Sequence, residues 1–439
     1  MRYAAVLLLL TIELAQNRIC LADSGSDIAA ARLTFLKEMK KKSPTERALA
    51  VTEYAKFPIE DTLETLLKRG FGDHDPAVKL ATRHALREAG KYADSAKFLN
   101  AEFKRYVKKQ FSEEILCGLL AGMVAATDDA GQADALKTLD DYLASPKGNL
   151  IIPMALIDDL GQEGGPEAVE SIKLLARATP FEKLFGYRRC VVQALSKIRE
   201  ASAISFLVEF LPKTNGLIQA DIIEHLTMVT KQTFKDNDRD WTNWWAENKA
   251  TFQFPKPADM AEVPVDLNQT TYYGIPICAK RVVFVLDTSG SMRGVPMEAA
   301  KVALLKTIDS LPEAVNFDVV FFDQSTAVWQ PRLVPATPSA KQLAAQTVMS
   351  RGLGPGTVSH AALNAAFNLN PEVIYFLSDG EPTDGQAAAI VESMFEKNRT
   401  RRVTIHTIGV VTQRGGGAGL TFFMKPLAER NFGVFRPVE

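Results

Sequence analysis

The sequence predicts an all-α N-terminal region followed by a doubly wound α/β domain in one chain of 439 residues. Two observations carry this prediction. From about residue 28 to residue 249, short amphipathic helical patterns follow one another without a convincing strand. From residue 280 onward, apolar strand segments alternate with helical patterns, which is typical of a parallel sheet covered by helices on both faces.

The N-terminus is predicted to be a secretory signal peptide that ends at Ala22. Arg2 provides the basic start, and residues 4–12 provide the apolar core. Glu13 and Arg18 cut the apolar run to roughly half of a membrane span, which favours a cleaved signal over an uncleaved anchor. We therefore expect a bacterial protein that is periplasmic or secreted, with no membrane span in the mature chain.

Residues 23–250 are predicted to form a stack of helical hairpins. The segment "QALSKI" at 193–198 is answered by "EHLTMV" at 224–229, about one repeat later. Residues 73–90 combine an acidic cap, a proline at the helix start and an Ala-Leu pair. In these features the region resembles the HEAT-type α-solenoids, in which helix pairs bury their faces against neighbouring pairs.

The end of this region and the segment after it have distinct patterns. Residues 230–252 are similar to a segment that often closes HEAT-like repeats in exported bacterial proteins. Their three tryptophans at helical spacing, Trp241, Trp244 and Trp245, indicate a capping core rather than a ligand platform. Residues 251–279 contain several prolines and little periodicity, which predicts an extended linker or a wrapping segment before a domain at 280–439.

Charge and cysteine content exclude several classes of function. The formal net charge is −1, so we expect no bulk attraction to nucleic acid or to an anionic membrane. Beyond the leader the cysteines are Cys117, Cys190 and Cys278, whose spacing matches neither a metal site nor a disulfide framework. Three buried thiols are expected, with one bridge at most.

Three segments of the C-terminal domain can supply oxygen ligands. "DTSGS" (287–291) follows the first strand, "GPGTV" (354–358) precedes a helix, and "SDGEPTDG" (378–385) follows a later apolar strand. Parallel strands end at a common edge of a sheet, so the first and third segments emerge together and the second can reach them. The side chains expected to converge are Asp287, Ser289, Ser291, Thr357 and Asp379.

This set of donors suggests a particular chemistry. Two carboxylates with three hydroxyls, and no Cys or His, suit Mg²⁺, Mn²⁺ or Ca²⁺ rather than Zn²⁺. Because hydroxyls are neutral ligands, such an ion would stay electrophilic and would accept a carboxylate from an Asp or Glu of a protein partner. One Asp-Ser turn after a strand can be a mere helix cap, but three segments in this order favour a metal site.

At these residues the domain resembles the von Willebrand factor A fold with a metal-ion-dependent adhesion site. The resemblance covers essentially all of 280–439. It implies that Ser289 and Ser291 bind the metal directly and that Thr357 joins them. The aspartates that the family uses, directly or through water, match Asp287 and Asp379.

One position departs from the family pattern. A polar residue often follows the threonine in the family, whereas Val358 stands here and His360 comes two residues later. This departure puts the hydrogen bonding around the threonine in doubt, although it leaves the ligand set intact. His360 could tune the site or could simply start a helix.

The sequence therefore predicts an exported, non-enzymatic binding protein in which a helical scaffold accompanies a metal-gated surface. An accessory subunit that assembles a larger envelope complex through its A domain is an alternative. A metal-dependent hydrolase is another, with Glu381 and Asp384 as nearby candidate bases.

The sequence lacks the motifs of several other functional classes. A haloacid-dehalogenase phosphotransferase would need a carboxylate where Ser289 stands, and neither a serine-hydrolase elbow nor a Walker loop is present. The basic run "KNRTRR" (397–402) is expected to be a solvated helix end at the sheet edge opposite the metal.

Overall fold

The computed structural model of the chain describes residues 25–109, 112–256, 270–411 and 417–438. The predicted signal peptide therefore lies outside the described residues. Across these ranges, no helix combines the length and the apolar character needed to cross a membrane. The chain divides into two compact units between Leu156 and Ile157.

The N-terminal region is all-α, as predicted, and the described part of residues 25–256 holds no strand. Its helices are α1 (Gly25–Glu38), α2 (Pro44–Tyr54), α3 (Glu60–Arg69), α4 (Pro76–Gly90), α5 (Ala93–Lys109), α6 (Glu113–Met123), α7 (Asp129–Ala144), α8 (Ile151–Glu163), α9 (Pro166–Leu175), α10 (Thr179–Lys183), α11 (Phe185–Leu195), α12 (Ala201–Phe210), α13 (Gly216–Thr230) and α14 (Asp238–Asn248).

Within the first unit, alternate helices form two layers. Helices α2, α4 and α6 pack side by side in one layer, and α3, α5 and α7 pack in the other. A polar contact links α4 to α6, which are equivalent helices of successive pairs. Lys79 Nζ on α4 donates to Glu114 Oε2 on α6 at 2.8 Å. Such stacking buries the apolar face of each pair against its neighbours. Membership in the HEAT family stays a prediction.

The helices of the second unit repeat this arrangement. Helices α11 and α13 are neighbours, and Arg189 Nε donates to Asp221 at 2.7 Å between them. Helix α14 closes the stack against α12. Trp241 and Trp245 on α14 are buried, and the indole of Trp245 donates to Ser205 Oγ at 2.9 Å. The tryptophan stripe is thus the capping core that its spacing predicts.

The C-terminal domain is the predicted doubly wound α/β fold, with helices on both faces of its large sheet. Its strands are β1 (Thr271–Tyr272), β2 (Ile275–Pro276), β3 (Arg281–Asp287), β4 (Asn316–Phe322), β5 (Thr326–Val328), β6 (Val334–Pro335), β7 (Val373–Ser378), β8 (Thr404–Val410) and β9 (Phe435–Val438). Its helices are α15 (Val295–Ser310), α16 (Pro338–Ser350), α17 (Ser359–Asn368), α18 (Ala387–Asn398), α19 (Gly417–Gly419), a π-helix (Leu420–Met424) and α20 (Lys425–Glu429).

The large sheet has the strand order β5-β4-β3-β7-β8-β9, and β6 also pairs with β4. Strands β4, β3, β7, β8 and β9 are parallel. The short strands β5 and β6 run antiparallel to β4, and the sequence pattern did not predict them. A turn back along the edge strand covers its open side without adding an apolar run to the sequence.

The stretch at 251–279 is predicted to be either an extended linker or a wrapping segment, and its described residues 270–279 pack against the domain as a wrapping segment would. Strands β1 and β2 form a hairpin, and Tyr272 is buried against Phe284 and Tyr375 of the sheet. Tyr375 donates its hydroxyl to the backbone oxygen of Pro276 at 2.9 Å. Cys278 is only half-buried, whereas the other two cysteines are buried as predicted.

Helices of the second unit pack against the edge of the sheet at which β8 begins. Arg189 on α11 donates to the backbone oxygen of Arg402 at 2.6 Å and to Thr404 Oγ1 at 2.8 Å. A Cβ atom at Gly186 would come within 2.1 Å of the carbonyl oxygen of Thr400. Glycine at this position therefore permits the close approach of α11 to the domain.

Glu372, which directly precedes β7, belongs to the same contact and is 3% exposed. One of its oxygens accepts from the backbone amides of Leu217 on α13 (3.2 Å) and of Lys280 (3.0 Å). The other lies 3.2 Å from the guanidinium of Arg281. These donors replace the water that the Glu372 carboxylate loses on burial. The hydrogen bond from the Leu217 amide also fixes the start of α13 to the sheet.

The prediction of a solvated basic run is wrong for Arg402. This side chain is 7% exposed, contacts the carboxylate of Asp158 on α8, and donates to Gln193 Oε1 at 3.1 Å. The reason is tertiary: α8 and α11 cover the start of β8 and offer partners that are distant in sequence. The last residue of the run is therefore a packing residue.

We expect Arg402→Ala to lower the free energy of unfolding by about 3 kcal/mol, because it removes one partner of a largely buried charge pair. Arg399→Ala in the same basic run is the matched control. Arg399 pairs with Glu396 at the surface, so its loss should cost about 1 kcal/mol or less. Urea denaturation measures both values, and equal effects would contradict the assigned packing role.

Candidate functional site

The candidate site lies where the direction of strand succession reverses. The chain leaves β3 on one side for β4 and returns to the other side for β7, with Leu286 opposite Leu377. Asp287 ends β3 and Asp379 directly follows β7, so both lie at the carboxyl edge of the sheet. Ligands of open α/β sheets bind in the crevice at such a switch point.

Asp287 is fully buried and held by two neighbours. Its Oδ2 accepts the hydroxyl of Ser378 at 2.5 Å, and its Oδ1 accepts the backbone amide of Ser289 at 2.8 Å. Burial raises the pKa of Asp287 to about 6, the hydrogen bonds from Ser378 and Ser289 oppose this rise, and the charge of Asp379 adds to it. The hydrogen bonds to Asp287 thus come from neutral groups.

The two serines join the aspartates in one chain of oxygen atoms. Ser289 Oγ lies 2.9 Å from Ser291 Oγ, and Ser291 Oγ donates to Asp379 Oδ1 at 2.8 Å. Ser289 is 2% exposed and Asp379 is fully buried, whereas Ser291 is half-buried and marks the open side. The structure therefore brings four of the five sequence-predicted side chains together.

The loop with Thr357, the fifth residue, is joined to both other segments. Gly354 donates its amide to the backbone oxygen of Thr288 at 2.9 Å. Thr357 is buried, and its amide donates to Thr383 Oγ1 at 2.9 Å. All three predicted loops therefore meet at one edge, while the assignment of the five side chains as metal ligands stays a prediction.

Sequence reasoning missed residues that hold this edge together. Asp323, which follows β4, is buried, and its carboxylate lies 3.1 Å from the guanidinium of Arg351. Its backbone oxygen accepts the amide of Val358 at 2.9 Å. Asp323 thus binds both ends of the loop that carries Thr357. The signal was present, because Asp323 also follows an apolar strand, but its partner lies in a distant loop.

The donors present fit a hard divalent cation. Among the described residues, no group of three or more His, Cys, Asp and Glu side chains could hold a metal ion. The edge instead combines two carboxylates with the hydroxyls of Ser289 and Ser291, and the loop with Thr357 adjoins them. Such an all-oxygen set suits Mg²⁺, Mn²⁺ or Ca²⁺. A buried Asp287 whose pKa is raised, beside a second buried carboxylate, is an arrangement that a bound cation would relieve.

Residues 280–433 match the family model of the von Willebrand factor type A domain. The inter-alpha-trypsin inhibitor heavy chain H3 of Bos taurus is 35% identical over 127 residues, which are 26% of this chain and 14% of that relative. Heavy chain H4 of Homo sapiens is 34% identical over 128 residues, with the same two coverages. The chain thus spans 14% of the length of both relatives.

Two solved structures are also similar to part of this chain. A von Willebrand factor type A protein from Catenulispora acidiphila is 21% identical with a TM-score of 0.33, over 37% of this chain and 40% of that chain. The ArnB paralog VWA2 from Sulfolobus acidocaldarius is 19% identical with a TM-score of 0.27, over 36% and 40% of the two chains.

We expect the double variant Ser289→Ala, Ser291→Ala to fold and to lose Mg²⁺-dependent thermal stabilisation. An ion that binds only the native state should stabilise the wild type by about 2.7 kcal/mol at 100 times its Kd. Differential scanning calorimetry with and without Mg²⁺ measures this response. Ser393→Ala, at an exposed serine outside the site, should keep it. An unchanged response in the folded double variant would refute the two serines as ligands.

Proposed function

We propose that the von Willebrand factor type A domain at residues 280–433 is the recognition module of a non-enzymatic binding protein. A divalent cation held at the carboxyl edge of the sheet would bridge to an Asp or Glu side chain of a protein partner. The observation that carries this proposal is the oxygen chain from Ser289 through Ser291 to the buried Asp379, beside the buried Asp287.

The charges of the site favour an acidic partner. The residues that would hold the ion are Asp287, Ser289, Ser291, Thr357 and Asp379. Two carboxylates balance a divalent charge and the hydroxyls add none, so the ion would supply an electrophilic position that an anionic ligand satisfies. The half-buried Ser291 lies on the accessible side, where a carboxylate from another protein could approach.

The surroundings of Asp384 favour binding over hydrolysis. Its Oδ1 accepts the amide of His360 at 3.1 Å, and its Oδ2 accepts the amide of Ala361 at 2.9 Å. Both oxygens therefore cap the start of α17, a role that competes with proton abstraction. The matched relatives are also named as heavy chains of an inhibitor.

Export is proposed on the sequence of the leader. The native protein should begin near Asp23, because the apolar segment before it ends in the small residue Ala22 as signal peptides do. Mass spectrometry of the N-terminal peptide from the native soluble protein measures this. Recovery of Met1 on that protein would contradict export through a cleaved signal.

The proposed bridge predicts that Asp379→Ala weakens partner capture as much as chelation of divalent ions does. Both treatments remove the same contact, so chelator should have little further effect on the variant. Quantitative mass spectrometry of proteins retained by the tagged full chain, in Mg²⁺ or in EDTA, measures the effect.

Glu381→Ala is the matched control for this experiment, because Glu381 lies in the same loop and is exposed. It should retain Mg²⁺-dependent capture. Retention of the same proteins by Asp379→Ala with undiminished, EDTA-insensitive yield would show that recognition occurs elsewhere on the chain.

A further inference from the structure

Thr357 forms a reciprocal contact with the loop that follows β7. The amide of Thr357 donates to Thr383 Oγ1 at 2.9 Å, and the amide of Thr383 donates back to the carbonyl oxygen of Thr357 at 2.9 Å. Thr357 is buried, so its backbone amide requires a hydrogen-bond acceptor, and Thr383 Oγ1 supplies it. The pair fixes the backbone of Thr357 from outside its own loop.

Asp384, which follows Thr383, also contacts the segment that contains Thr357. Asp384 accepts the amides of His360 and Ala361 and so caps α17, which begins two residues after Thr357. Asp379, in the same loop, accepts the hydroxyl of Ser291. One short loop therefore contacts the serine segment at one end and the threonine segment at the other.

The residue after Thr357 is the apolar Val358, which has no side-chain oxygen to offer as an acceptor. Here the Val358 side chain packs against the apolar cluster on the α17 face of the sheet, and its amide donates to the backbone oxygen of Asp323. The side-chain oxygen that accepts the Thr357 amide comes instead from Thr383 in another loop.

We propose that Thr383 is a positioning residue for Thr357: its hydroxyl oxygen orients the Thr357 backbone so that the Thr357 side chain faces the proposed metal. The inference rests on the proposed metal site and adds to it a residue that no ligand pattern identifies. Thr383 acts through Thr357 and not by contact with the ion. Mutation of a residue that orients a metal ligand typically lowers metal affinity by about 10- to 100-fold.

The test uses the full chain and Mg²⁺ alone, with isothermal titration calorimetry. Thr383→Val keeps the shape of the side chain but removes the acceptor, and it should weaken Mg²⁺ binding about tenfold. Thr383→Ser keeps the acceptor and should bind within about twofold of the wild type. Because Thr383 is exposed, both variants should keep the apolar core intact. Thr242→Val, at an exposed threonine on α14, is the matched control and should leave Mg²⁺ affinity unchanged.

A double-mutant cycle separates positioning from a general role in the loop. In a Thr357→Val background, Thr383→Val should cost less than about twofold in Mg²⁺ affinity, because the hydroxyl that it positions is already absent. Hydrogen exchange gives a second readout without metal. The Thr357 amide should exchange faster in Thr383→Val than in Thr383→Ser, since only the serine still accepts it.

The outcomes are distinct. Unchanged Mg²⁺ affinity in Thr383→Val would overturn the positioning role, and so would an equal loss in both Thr357 backgrounds. If the wild type itself binds no divalent ion, the proposed function fails together with this inference. If the wild type binds Mg²⁺ and both Thr383 variants bind it with the same affinity, the proposed metal site stands and the positioning role alone is wrong.

Discussion

The burial of two carboxylates at one sheet edge is the constraint on which the rest of the domain depends. Asp287 and Asp379 are fully buried. The loss of water on burial raises the pKa of Asp287 to about 6, and the charge of Asp379 adds a smaller contribution in the same direction. Such a pair is costly unless donors surround it. The reversal of strand order between β3 and β7 places the pair, and three loops converge to supply hydroxyl and amide donors.

The opposite edge of the sheet handles buried charge differently. There Arg402 meets Asp158, Arg189 meets Asp221, and Glu372 meets Arg281. The first pair joins α8 to the start of β8, the second joins α11 to α13, and the third joins the starts of β7 and β3, so opposite charges compensate one another at this edge. The domain therefore has a closed, charge-paired base and an edge whose carboxylate Asp287 is supported by neutral groups, as a site for an added cation requires.

The sequence was informative where local pattern decides structure and less so where distant partners decide it. The alternation of strand and helix patterns after residue 280 predicted the parallel sheet, and the spacing of Trp241 and Trp245 predicted the capping core of α14. The burial of Arg402 and the contacts of Thr383 and Asp323 were missed. Each depends on a residue from another loop or helix, and no spacing within one segment records that encounter.

Asp287 and Asp323 show how tertiary partners divide equal local signals. Asp287 ends β3 and Asp323 follows β4, two apolar parallel strands that lie side by side with Leu286 opposite Phe321. Asp323 meets the guanidinium of Arg351, so its charge is compensated and it holds the loop that carries Thr357. Asp287 meets hydroxyl and amide donors, which orient its oxygens without cancelling its charge. The two aspartates therefore differ because the guanidinium of Arg351 reaches only Asp323. Asp323 has a structural role, whereas Asp287 keeps an uncompensated charge and remains a candidate metal ligand.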